Sequence, residues 1–173
     1  MKIGKYKNAV DNLLALFCII VMVMLVICVV WQVFSRYVLQ QPSTSTDEIA
    51  RFSMIWVGLL GAAYATGKRR HLNIDLFTSE LTGLRKLFNQ LFIDGAIFFF
   101  AATAMVWGGM SLLIGVYETG QLSPALQMPM AYVYLVLPLS GVLICWYSLL
   151  YMVDTVKSHL GEPVLTQTEG GKS

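Results

Sequence analysis

Charge is what this chain has least of. Only 13% of its 173 residues are Asp, Glu, Lys or Arg, about half of what a soluble domain carries, and 57% are hydrophobic, for a mean hydropathy of +0.66. Long polar stretches are missing as well, which leaves no room for a soluble catalytic domain. The two histidines, His71 and His159, both lie in polar flanks, which disfavours a haem held by two facing imidazoles inside a bundle. The three cysteines, Cys18, Cys28 and Cys145, show no C-x-x-C spacing and read as buried, inert thiols. No phosphate loop, nucleophile elbow or zinc-ligand spacing is present. Neither enzymatic activity, nor a cofactor or metal, nor a nucleic-acid partner is expected.

What the chain does have is apolar runs. Crossing a hydrocarbon core takes roughly 20 apolar residues as helix, because each backbone polar group must be satisfied within the segment. Four runs qualify: Leu13–Phe34, Ile49–Thr66, Leu91–Tyr117 and Met130–Val153. The fold class is therefore all-α, a single polytopic membrane domain over residues 1–173 with four transmembrane helices at about 13–34, 49–66, 91–117 and 130–153, and a tail over 154–173. The first run exceeds a signal peptide's apolar region and no small-residue cleavage site precedes Trp31, so it is read as a retained helix.

A fifth helix is expected between the second and third spans. Over 72–89, Phe77, Leu81, Leu84 and Phe88 recur at helical spacing, with Glu80, Arg85 and Lys86 elsewhere on the wheel, the pattern of an amphipathic helix lying in the membrane interface. Just before it, Lys68, Arg69, Arg70 and His71 are placed to meet anionic lipid headgroups, or to act as a topological stop.

Orientation follows from the basic residues, which stay cytoplasmic near helix ends. Lys2, Lys5, Lys7, Lys68, Arg69, Arg70, Arg85, Lys86, Lys157 and Lys172 fall on one side, ten of the twelve. Both termini are then cytoplasmic. The remaining two, Arg36 and Arg51, face outward with Asp47 and Glu48, against the usual bias.

That outer cluster is the clearest candidate site. Ser45 or Thr46 is expected to cap the second helix, with Asp47 and Glu48 complementing its N-terminal dipole, and Glu48, three residues before Arg51, shares a helical face with it and can pair with it. Trp31 and Tyr37 suit an interfacial belt, whereas Trp56 lies deeper, where packing is the better reading. A structural or subunit-contact role, plain anchoring, and contact with a transported solute all remain open for the cluster.

Small residues mark possible helix contacts. Gly58/Ala62 and Gly61/Ala65 are each four apart on helix two, and Ala104, Gly108, Ser111 and Gly115 form a similar stripe on helix three, spacings that let helices approach closely in lipid. Such stripes serve packing within the subunit or against another protein. Pro138 in helix four should kink it. Asp94, one turn into helix three, is expected to cap or to pair with Arg85, Lys86 or Lys68. The chain lacks what a self-sufficient transporter needs: a mid-membrane acid in helix one or two, matched broken helices, an internal repeat.

Taken together, Trp31-Gln32-Val33-Phe34-Ser35-Arg36-Tyr37, Asp47-Glu48-Ile49-Ala50-Arg51, Trp56, Gly61-Ala62-Ala63 and His71-Leu72-Asn73-Ile74-Asp75 resemble the small membrane (Q) subunit of tripartite ATP-independent periplasmic (TRAP) transporters. The motif-bearing region covers about residues 31–75; helices three and four agree in length and hydropathy alone. The resemblance implies a scaffold subunit, without a translocation site of its own, in the bacterial inner membrane. Its partners would be a large multi-span subunit carrying solute and sodium sites and a periplasmic binding protein that delivers an organic acid, of the sialic-acid or C4-dicarboxylate class. Some members have the two membrane subunits fused; a chain ending soon after helix four would be the separate type. Carried over by residue, Arg36, Glu48 and Arg51 would hold the outer helix ends and meet the large subunit or the binding protein, and His71 and Asp75 would fix the entry into the interfacial helix. The rival expectations are a homo-oligomeric four-span transporter, disfavoured because Leu13–Phe34 holds no acid, and a membrane anchor for a redox enzyme, disfavoured by the histidine count.

Overall fold

The computed structural model describes residues 2–41, 43–68 and 84–159. Among them every regular element is a helix, and four helical stretches are long and apolar enough to cross a membrane. Helix α1 (Lys2–Tyr37) and α2 (Thr44–Lys68) make the first two spans. The third span is built in three pieces that run on without a break: α3 (Leu84–Phe100), a π-helical segment (Ala101–Gly108) and α4 (Gly109–Glu118). The fourth is α5 (Ala131–Tyr134) followed by α6 (Val136–His159).

Several boundaries differ from those drawn on hydropathy. Helix α1 runs past its apolar stretch at both ends, since the flanking residues within it, polar as they are, include no proline to stop it. Helix α2 begins at Thr44, so Ser45 and Thr46 lie inside its first turn rather than capping it; the Thr46 hydroxyl donates back to the Ser43 carbonyl. No boundary separates the expected interfacial segment from the third span, because α3 passes straight through residues 89–91. Residues 72–83, over which most of that interfacial helix is expected, and the tail from 160 lie outside the described residues.

The interruption in the fourth span sits at Leu135, three residues before Pro138. Proline has no N–H for the carbonyl of Tyr134 and its ring crowds that turn, so the helix must open just upstream. The α-helix is thus interrupted where the proline is expected to disturb it, with Leu135 itself still in the right-handed helical region.

Packing order explains which faces are buried. The fourth span lies between the second and third, while α1 packs chiefly on α2. One apolar cluster joins Leu14, Leu60, Val136, Tyr147 and Tyr151 across the first, second and fourth spans. Another joins Ala63, Ala101 and Ile144 across the second, third and fourth.

Candidate functional site

The polar side chains gather at the two ends of the bundle. At one end, which holds the 38–43 and 119–130 connections, the Glu48 carboxylate is enclosed by the turn between the third and fourth spans. It accepts from the Ser123 hydroxyl and from the backbone N–H groups of Ala125 and Leu126, at 2.9 and 3.0 Å. The turn is shaped for this: Gly120 takes the left-handed conformation (φ 59°) that ends α4. Gln127 N–H then bonds the Ser123 carbonyl, and Met130 N–H bonds that of Gln121. Successive N–H groups so directed form a concave anion seat, filled here from α2.

Arg51 makes its ion pair with Asp47, one turn back, at 2.7 Å. Geometry accounts for this departure from the expected Glu48 pairing. Glu48 points towards the fourth span and Asp47 towards α1, where it also accepts from the Gln32 amide at 2.5 Å. Gln32 thereby ties α1 to α2, and the buried Ser35 beside it donates to the Gln32 carbonyl. Arg51 remains 74% exposed despite its pair, and Arg36 and Tyr37 are exposed as well. Trp56 is half-buried, tilted against Phe17 with ring centres 6.0 Å apart, and packs on the apolar cluster.

The opposite end was not anticipated. Asp11, only 2% exposed, accepts a 2.5 Å hydrogen bond from the Tyr147 hydroxyl of the fourth span. Its other oxygen faces Lys7 at 3.9 Å and Lys68 at 4.0 Å. One turn further along α6, the Tyr151 hydroxyl donates to the Gly67 carbonyl, satisfying an acceptor at the end of α2 that has no partner inside its own helix. The lysine ammonium groups also lie over aromatic rings, Lys7 over Tyr151 and Lys68 over Tyr64. Asp94 accepts from Gln90, one turn back on its own helix, at 3.3 Å. A signal was there to be read: two tyrosines four apart in an otherwise apolar helix each need a hydroxyl partner when buried.

The glycines that pack are also not the expected ones. Gly58 and Gly61 face open space, Ala62 is exposed, and Gly108 is exposed, with only the backbone of its own span near it. Instead, a methyl at Gly67 would meet the Tyr147 ring at 2.8 Å, and one at Gly141 would meet Met105 at 2.8 Å and Val106 at 3.0 Å. A methyl at Gly109 would meet Leu137 and Pro138, each at 3.1 Å. The π-helical turn brings the neighbouring residues Met105 and Val106 together onto Gly141, which the larger angular step of an α-helix would separate more. Of the headgroup candidates, Lys68 is described; Arg69, Arg70, His71 and Asp75 lie outside the described residues. Among the described residues no three His, Cys, Asp or Glu side chains gather as metal ligands.

A four-span helical membrane subunit whose charged groups tie its own helix ends together is the class this arrangement defines. The chain belongs to the family of tripartite ATP-independent periplasmic transporters, DctQ component, whose family model matches residues 25–158. It is similar to the isethionate TRAP transporter permease protein DctMQ of Oleidesulfovibrio alaskensis, with 33% identity over 55% of this chain and 15% of that one. It is also similar to the sialic acid TRAP transporter small permease protein SiaQ of Vibrio cholerae, with 25% identity over 62% of each. A third relative is the C4-dicarboxylate TRAP transporter small permease protein DctQ of Rhodobacter capsulatus, with 28% identity over 58% of this chain and 44% of that one. In each case the chain spans less than two thirds of the relative's length.

Proposed function

We propose that this chain is the non-translocating small subunit of a sodium-driven, binding-protein-dependent importer of an organic acid in a bacterial inner membrane, with both termini cytoplasmic. It anchors and widens a large multi-span subunit that moves the solute, while a periplasmic binding protein delivers it. One observation carries the reading: residues 12–35, 52–67, 95–117 and 119–153 contain no Asp, Glu, Lys or Arg, so the span interiors offer no charged path for solute or ion. The relatives' names, with isethionate, sialic acid and C4-dicarboxylate among their solutes, support an organic acid as the cargo.

Within this reading Arg36 and Arg51 are the surface-facing members of the outer set, positioned to meet the large subunit or the binding protein, whereas Glu48 and Trp56 work inside the subunit. The exposed Gly58, Ala62 and Gly108 suit a close helix approach by the large subunit. Lys68, with Arg69, Arg70, His71 and Asp75, is assigned to the headgroup layer. The experiment is purification of the tagged chain in mild detergent: a large hydrophobic partner co-elutes, and sodium-dependent uptake by proteoliposomes requires both. Uptake by the chain alone would overturn the proposal, as would a self-oligomer with no partner.

A further inference from the structure

Helix α1 has an unusual hold on its neighbours. Between residues 7 and 37 only Asp11, Leu14 and Ser35 are buried, and the half-buried positions that follow the same line are Cys18, Val21, Leu25, Cys28 and Gln32. The series 11, 14, 18, 21, 25, 28, 32, 35 alternates steps of three and four, a heptad seam of the kind that packs two long helices side by side. Across it on α2, Leu60 shares an apolar cluster with Leu14, and Gly67 lies close to Asp11.

The interior of this seam carries little information about register. Leu14, Cys18, Val21, Leu25 and Cys28 are all small or apolar, and in lipid a leucine gains little by leaving hydrocarbon for another helix. Moving α1 along its axis by one heptad, about 10 Å, replaces apolar contacts with similar ones. The ends are different. From other helices Asp11 is met by Tyr147 and Lys68, with Lys7 beside it on α1 itself, and Gln32, three heptads further on, is met by Asp47. A one-heptad slip takes both away from these partners, leaving the carboxylate with Lys7 alone and the amide without its acceptor, and polar groups so deprived are costly away from water. Buried polar residues at single seam positions specify register in coiled coils by the same penalty.

We propose that Asp11 and Gln32 are positioning residues that fix the axial register and rotation of α1 on the bundle, one from each end. The inference stands on the geometry of the seam and does not depend on the transport role. Its test uses the full chain in lipid nanodiscs, with Cys18, Cys28 and Cys145 replaced by alanine and spin labels at the lipid-facing positions Val23 and Val142, so that pulsed electron resonance reads the distance from α1 to the fourth span. The parent should give one narrow distance. Asp11→Leu with Gln32→Leu should give a second peak or a broad distribution shifted by up to about 10 Å, with helical content by circular dichroism unchanged. Asp11→Asn keeps an acceptor for Tyr147, and combined with native Gln32 it should restore the single peak. A double leucine variant that is helical and keeps the parent distance overturns the proposal. If that variant does not fold, Gln32→Leu with Tyr147→Phe and Lys68→Ala, which removes the described partners of Asp11 on other helices and leaves the carboxylate with Lys7, is the second measurement; an unchanged single distance there also overturns it.

Discussion

Glu48 and Arg51 sit one turn apart on the same helix, yet their surroundings give them different tasks. Three donors from a distant turn converge on Glu48; Glu48→Ala removes the shared acceptor and should open the 121–130 connection. Limited proteolysis of the membrane-embedded chain checks this, with cleavage appearing there in the variant and not in the parent. Arg51, 74% exposed, contributes little to folding, since exposed pairs are worth about 0.2–1 kcal/mol before salt screening. Arg51→Ala should therefore leave thermal unfolding in detergent nearly unchanged. If co-purification of the large partner falls in the same variant, the loss reports a contact rather than a folding defect. At the other end, Tyr147→Phe deletes a buried donor to a carboxylate and should cost about 1.5–3 kcal/mol, read as a lower unfolding midpoint.

At the scale of elements, composition made the four spans plain and also the Pro138 interruption, because both follow from rules local to the chain. The packing faces were not legible. In α1 nearly every residue from Leu13 to Phe34 is apolar, so the heptad seam leaves no contrast to read; only Asp11, Gln32 and Ser35 mark it, at its ends. The small-residue stripes misled for a related reason. Glycine at regular spacing permits close approach but does not say which neighbour arrives, and Gly67, Gly109 and Gly141 outcompete Gly58 and Gly61 because tyrosine, proline and the π-helical turn sit opposite them. Gln32, Asp47, Glu48 and Arg51 do gather at one end of the bundle, but which acid serves which partner depended on a turn some 75 residues away. Two element-scale outcomes follow. Gly141→Leu forces apart the third and fourth spans and should destabilise by about 1–3 kcal/mol, again as a fall in the unfolding midpoint. Pro138→Ala supplies the missing N–H to Tyr134 and should slow amide hydrogen exchange over 135–139 as the helix closes.

For the molecule as a whole, the ties at the two ends join three spans to one another and α2 to a connection: α1 to α2 through Gln32 and Asp47, α1 to the fourth span through Asp11 and Tyr147, α2 to the fourth through Gly67 and Tyr151, and α2 to the third-to-fourth connection through Glu48. The stretch between is apolar and loosely covered, with Phe99, Trp107 and Val142 among many large side chains left bare.

The packing order, with the fourth span between the second and third and α1 leaning on α2, leaves the fourth span the best covered and α1 the least. Thinning or thickening of the bilayer acts on all four helices at once. Stiffness against such forces has to come from clamps at the helix ends, which is where this chain concentrates the few charges it has.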